Sequence, residues 1–415
     1  MNFETHPADI LALSTYASDA SGDTVMNDPA HEAASRMLAD IKHLAPSIAA
    51  RAAEMEAARR IPLDLVETLR SIGVFRMLAP RSHGGLELDL PDVFAIMEAL
   101  SRIDGSFGWT ATVGSGAGVF ASLASPDTFD QIYRDGPDVI FAGSVQPTGT
   151  AEAVKDGWLV NGRWPFASGC QHADWILAVC VMTKNGQPLP GPVDGTPMTR
   201  FLLLPARCWR IEDTWHAVGL KASGSHHVVL QDVLVPGENF IDPAASVQHL
   251  PGPLYNGPFQ LIPLMHCPIA LGIAEAALED IIAMAHSGRR QLRAAHALRD
   301  SEVFQSELGY AQAELRAARA YFEVQTASHW KYAQAGALRD EALLLEGTQA
   351  SVWITDACLR VAETCFQLGG GSAVYGSSPL QRRLRDLQTA AQHAAVQQRH
   401  NVEAGKLLLS TTAPA

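Results

Sequence analysis

The stretch 301–334 contains no proline and a single glycine, Gly309. At about 1.5 Å rise per residue it predicts one helix about 50 Å long. A helix of that reach cannot bury its apolar stripe unaided and needs neighbours of similar length. The 3.6-residue period continues from Pro263 to the C-terminus, where Gly336 and Gly369-Gly370-Gly371 punctuate the later helices and Pro379 starts the last. A four-helix bundle is therefore expected over 246–415. Its large apolar faces predict self-association, as a homotetramer.

The opposite end of the chain is helical too. Leu38, Ile41, Leu44, Ile48, Ala52 and Met55 line one face of a long helix, Pro62 and Gly73 bracket the next, and a third starts near Pro91. A fourth follows Asp104-Gly105 and runs through Trp109, and Ser125-Pro126 caps a short fifth. These elements form a helical domain over 29–138, preceded by a flexible arm over 1–28 whose Ser, Thr, Asp and Ala show little periodicity. Between the helical parts, β-branched and aromatic residues come in short runs cut by turn dipeptides. Asp156-Gly157 and Asn161-Gly162 are the hairpin signals, and 175–182, 201–204 and 226–235 are strand-like. The region 139–245 is expected to be an antiparallel β-barrel, which makes the fold class α+β, mostly α.

Composition narrows the function. With 47% apolar residues the chain can bury a substantial core, and a net charge of −13 offers no basic stripe for nucleic acid. The six cysteines contain no C-x-x-C pair and read as reduced thiols. With no apolar run near the ~20 residues of a membrane span and no secretory leader, the protein is expected to be soluble and cytoplasmic. No metal site is expected. His226 and His227 point to opposite faces of a strand, while His393 and His400, seven apart on one helix, lie about 10 Å from each other. G-x-G-x-x-G after a strand, the Walker A sequence and H-E-x-x-H are all missing.

Four segments have a more specific pattern: 162–169 (GRWPFASG), 219–225 (GLKASGS) leading into 232–236 (DVLVP), Gln367-Leu368-Gly369-Gly370, and Pro379-Leu380-Gln381-Arg382 with Arg385-Asp386. In their order they resemble the acyl-CoA dehydrogenase fold, from about residue 30 to 408. The resemblance implies an N-terminal helical domain, a middle antiparallel β-barrel and a C-terminal four-helix bundle. Dehydrogenases of this fold keep a catalytic glutamate just after the Arg-Asp segment. Here Ala394 stands at that place, after His393, and alanine accepts no proton. A histidine in Ala390-Ala391-Gln392-His393 is instead similar to the flavin-dependent monooxygenases of the same fold, the oxygenase components of two-component systems.

That resemblance implies reduced FMN or FAD supplied by a separate flavin reductase, O₂, a C4a-hydroperoxyflavin, and a small aromatic substrate, indolic or polycyclic. It implies His393 as the catalytic acid/base, with the near-neutral pKa ordinary for histidine, and Ser168 as the hydroxyl facing flavin N5. Trp164 and Phe166 would pack near the ring, and Ser144 and Ser225 would contact flavin or substrate, although both also suit turn backbone. Gln367, Gly369 and Gly370 would receive the distal end of a flavin dinucleotide from a neighbouring subunit, and the glycines equally suit a helix C-cap. Trp109 and Ser115, on a helix rich in small residues (Gly114, Gly116, Gly118), would border the substrate, close helix packing being the other reason for such a stripe. His172 reads as a strand-entry histidine paired with Asp174. Two other functions fit the same fold: an acyl-CoA dehydrogenase or oxidase with its base elsewhere, and an inactive relative serving as an assembly partner.

Overall fold

The computed structural model describes residues 29–242, 250–292 and 294–410, so the expected arm over 1–28 lies outside the described residues. The N-terminal helices are α1 (Pro29–Ala49), α2 (Ala52–Ala58), α3 (Leu63–Ile72), α4 (Leu90–Ile103), α5 (Gly105–Ala121) and α6 (Pro126–Ile132). The single helix expected through 38–55 is two, because the chain tightens after Pro46 and Arg51 N–H donates to Ile48 O at 3.0 Å, three residues back. The cap signals hold. Asp104 accepts from Phe107 N–H at 3.1 Å, Ser125 accepts from Thr128 N–H, and Gly73 closes α3 at φ 93°.

The middle sheet comprises β1 (Phe141–Val154), β2 (Gly157–Ala167), β3 (Trp175–Lys184), β4 (Gln187–Pro188), β5 (Thr199–Pro205), β6 (Arg210–Glu212), β7 (His226–Val235) and β8 (Phe240–Ile241). Its order is β6-β7-β2-β1-β3-β5-β8, with β4 added to β3. Two parts of the barrel expectation are corrected. The pair β1–β3 is parallel, so the sheet is mixed, and β6 and β8 are unjoined edges, so the ladder among the described residues is open.

Of the two hairpin signals, Asp156-Gly157 forms a tight turn, with Val154 facing Gly157 across it. Asn161-Gly162 does not turn. Both lie inside β2, opposite Thr150 and Gly149, and the glycines are needed because the Trp164 indole lies against them: a Cβ on Gly149 would sit 1.9 Å from Trp164 Cζ2. Asn161 meets a bulge in β7, its side chain exchanging two hydrogen bonds with Asp232, which sits at φ 51°.

The C-terminal helices are α7 (Leu261–Leu264), α8 (His266–His286), α9 (Glu302–Gln334), α10 (Glu341–Gly369), α11 (Pro379–Ala390) and α12 (Asn401–Ser410). The expected long helix is α9, 33 residues capped by Ser301. It packs with α8 and α10, and α4 packs on α8, so one apolar core runs from the N-terminal helices into the bundle. The segment Pro258–His286 is apolar and long enough to cross a membrane, against the expectation, yet 83% of its most apolar window is buried inside the protein.

The last helix is interrupted. After Ala390 come two 3-10 turns, Ala394–Val396 and Gln398–His400, so His393 and His400 do not share a helix face as expected. Two histidine-to-backbone bonds stabilise the bend: Ala395 N–H donates to His393 Nδ1 (3.2 Å), and His400 Nε2–H donates to Ala394 O (2.6 Å).

Candidate active site

The end of β2 departs from regular strand geometry. The β2–β7 register shifts between Trp164 and Ala167, and Phe166 adopts φ 62°, a conformation rare for a side chain of its size. The kink sends Trp164 and Phe166 to different surroundings. Trp164 is fully buried in the sheet core, its Nε1–H donating to Val179 O (2.7 Å) and its ring edge-on to Trp209. It is a core residue, which corrects its expected place near a flavin. Phe166 is 54% exposed, its ring edge-to-face with Trp215 and His227.

Just beyond the kink, Ser168 meets a second loop, 219–225, which is fastened to α11. Leu220 N–H donates to Asp386 Oδ1 (2.6 Å), and Gly219 lies so close to Arg385 that a Cβ there would be 2.0 Å from its carbonyl oxygen. Asp386 is buried beside Asp104, and burial, then that second carboxylate, push its acid up to about 7. The loop returns at Gly224, φ 53°, and Gly169 N–H donates to Ser223 O. This brings three buried hydroxyls into a row, Ser168 to Ser225 at 2.7 Å and Ser225 to Ser223 at 2.7 Å. From α5, Trp109 donates its Nε1–H to Ser168 Oγ at 3.0 Å. A hydroxyl oxygen has two lone pairs and one proton. Trp109 occupies one lone pair of Ser168; with Ser168 as the donor to Ser225 its second lone pair stays open for a ligand N–H, and with Ser225 as the donor Ser168 keeps its proton for a ligand acceptor.

The Trp109 ring also joins two imidazoles. His393 lies edge-on to it at 5.7 Å and His266 lies tilted against it at 5.4 Å, while the two histidines stack with centroids 4.2 Å apart. Because His393 Nδ1 accepts from Ala395 N–H, its proton resides on Nε2. Burial lowers His393 to about 4, and burial plus the neighbouring imidazole hold His266 well below the usual histidine range. The near-neutral pKa expected for His393 is thereby corrected: both rings are uncharged at pH 7. Sequence reasoning missed His266. The available signal was its isolation as the lone histidine in the apolar run 261–274.

The remaining candidates divide. Ser225 belongs to the hydroxyl row. Ser144 is buried on β1 opposite Ala178. Ser115 gives its proton to Ala111 O on its own helix (2.8 Å), and the glycines around it permit close packing, a Cβ at Gly114 meeting Phe75 and one at Gly118 meeting Tyr133 Oη, each at 2.9 Å. His172 does not pair with Asp174, which corrects that expectation: the Asp174 carboxylate instead accepts Ile140 N–H (2.9 Å), and burial lowers His172 to about 4. Gly370, φ 55°, caps α10 with its N–H on Gln367 O, and Gly369 is buried against Leu380, while Gln367 itself is exposed. Among the described residues no group of three His, Cys, Asp or Glu side chains could hold a metal.

A helical domain, a sheet whose kinked strand meets a serine loop, and a helix bundle contributing the imidazoles together define the acyl-CoA dehydrogenase fold. Residues 31–127 match the acyl-CoA dehydrogenase N-terminal domain and residues 264–398 the acyl-CoA dehydrogenase C-terminal domain. Within that fold the chain belongs to the flavin-dependent monooxygenases. It is 35% identical over 350 residues to the indole-3-acetate monooxygenase of Pseudomonas putida, 83% of this chain and 86% of that protein. It is 29% identical to the flavin-dependent monooxygenase oxygenase subunit HsaA of Rhodococcus jostii, over 85% of this chain and 92% of that one. XiaF from Streptomyces sp., solved in complex with FADH2 and glycerol, superposes with a TM-score of 0.85 at 25% identity, covering 94% of this chain and all of that one.

Proposed function

We propose that the protein is the oxygenase component of a two-component system, taking reduced FMN or FAD from a separate flavin reductase and inserting one oxygen atom of O₂ into a small aromatic substrate, with an indolic acid as the first compound to try. The observation that supports this most directly is the convergence of Trp109 and Ser225 on the Ser168 hydroxyl oxygen, beside two uncharged imidazoles and an alanine, Ala394, where a dehydrogenase would need a carboxylate.

These residues fit a flavin. Phe166 presents an exposed ring for a planar heterocycle, and Ser168, as the donor to Ser225, has one lone pair left, suited to the N5–H of reduced flavin. Bound reduced flavin supplies the electrons that activate O₂. Ser168 holds the N5 proton, while Trp109 and Ser225 hold Ser168. His393 offers Nε2–H as a neutral donor toward the oxygen being transferred or its acceptor. Gln367, exposed at the end of α10, would receive the distal part of a dinucleotide bound by another copy of the chain.

Replacing Ser168 by alanine should leave folding intact and flavin affinity nearly so, while raising the hydrogen peroxide released per hydroxylated product. Peroxide assay alongside product analysis decides it, and unchanged coupling would remove Ser168 from this role. The exposed side chains of Val303, Tyr310 and Val324 on α9 and of Trp353 on α10 support assembly through the bundle. Light scattering should report a homotetramer, and a stable monomer of about 44.5 kDa would exclude it.

A further inference from the structure

We propose that His266 recognises the substrate, its Nδ1 accepting a hydrogen bond from an aromatic N–H or O–H, while His393 beside it serves as donor. The inference deepens the proposed function and rests on its aromatic substrate. Three observations point to it.

His266 Nδ1 is a buried nitrogen without a hydrogen-bond partner, in a protein interior where such groups are nearly always paired. No neighbouring acceptor holds a proton at that nitrogen. A buried N–H without an acceptor is rarer than an underused acceptor, so the proton belongs on Nε2 and Nδ1 presents a lone pair.

The two imidazoles are not equivalent. The His393 Nδ1 lone pair is taken by Ala395 N–H, which leaves that ring with a donor only. His266 therefore supplies the free acceptor of the pair. Its position is also fixed: it stacks on His393 at 4.2 Å, packs against the Trp109 indole at 5.4 Å, and stands at the start of α8, whose next turns are buried core. Trp109 in turn bonds Ser168, so the acceptor is tied by side-chain contacts to the hydroxyl assigned to the flavin.

A site built to hydrogen-bond a donor rejects the analogue lacking it far more strongly than an apolar pocket rejects an extra methyl group. Binding of indole-3-acetate and 1-methylindole-3-acetate, and of resorcinol and its dimethyl ether, to the intact protein should be compared by calorimetry. The wild type should prefer the donor-bearing member of at least one pair by about 10²-fold or more. His266→Phe, which keeps a ring against His393 and Trp109, should reduce that preference to a few-fold by weakening only the donor-bearing probe. His266→Asn, whose amide oxygen falls near the Nδ1 position, should restore part of it. Nitrogen-15 spectra of histidine-labelled, ligand-free protein supply a readout that needs no probe, and should show His266 as the Nε2–H tautomer. Equal binding within both pairs, a preference that survives His266→Phe, or an Nδ1–H tautomer overturns the inference. Reduced-flavin binding separates this from the wider reading: flavin bound without donor preference defeats the role of His266 alone, whereas absence of flavin binding defeats the monooxygenase function as well.

Discussion

Substitution of His393 by asparagine should lower product formation by roughly 10² to 10⁴, the range for losing a positioned proton-transfer or hydrogen-bonding group, with little change in affinity for reduced flavin. The asparagine oxygen lies near the position of Nδ1 and can still accept from Ala395 N–H, so the 3-10 turn survives. What it cannot reproduce is the donor at Nε2. Glutamine reaches that far, so His393→Gln should recover part of the lost rate. Since burial holds His393 near 4, the ring contributes no titration to the rate between pH 5 and 8. An acid limb near the ordinary histidine value that disappears in His393→Gln would show the imidazole cycling through its charged form instead. Stability gives an independent check. Below about pH 6.5 the unfolded histidine binds a proton that the folded one refuses until about pH 4. This costs the wild type stability as pH falls through that window and spares His393→Asn, so the gap between the two should change from pH 6.5 downward and stay constant above it.

The second large effect is expected at Gly219, a residue that touches no ligand in the proposed scheme. Gly219→Ala places a methyl group 2.0 Å from the Arg385 carbonyl oxygen and 2.6 Å from Thr389 Oγ1. The carbonyl belongs to α11, which is packed into the core at Leu387 and cannot yield cheaply. The loop must therefore lift away, breaking the bond from Leu220 N–H to Asp386 and carrying Ser223 and Ser225 from Ser168. Overpacking of this kind costs typically 1–3 kcal/mol and sometimes more, and the buried Asp386 carboxyl would lose its backbone partner in addition. Denaturant unfolding should show a loss of about 3 kcal/mol, and titration with reduced flavin a drop in affinity of at least about tenfold, equivalent to about 1.4 kcal/mol. A variant with wild-type stability and affinity would mean that the loop is free to relax and that Asp386 does not hold it.

Element boundaries were legible wherever a local chemical signal sets them. Asp104, Ser125 and Ser301 are caps whose side chains bond their own helix, and α9 follows from the lack of breakers between Glu302 and Gln334. Asn161-Gly162 shows the limit of that logic. The same dipeptide that forms a hairpin turn also satisfies a strand in which a glycine must admit an indole, and the indole belongs to Trp164, whose direction is set by the sheet.

The site shows the same division. As candidates, His393, Ser168, Phe166, Ser225 and Ala394 could be picked out by position, because motif residues keep their spacing along the chain. What the amino-acid sequence determined by itself was the order of helical and β regions, most helix ends, and the residue types available for chemistry. Tertiary structure alone decided that Trp164 enters the core while Phe166, two residues on, stays outside, since a positive φ and a register shift reverse the strand's alternation. It also decided that His266, 127 residues before its partner, stacks on His393, and that both rings are neutral, because protonation depends on burial and on neighbours that only packing supplies.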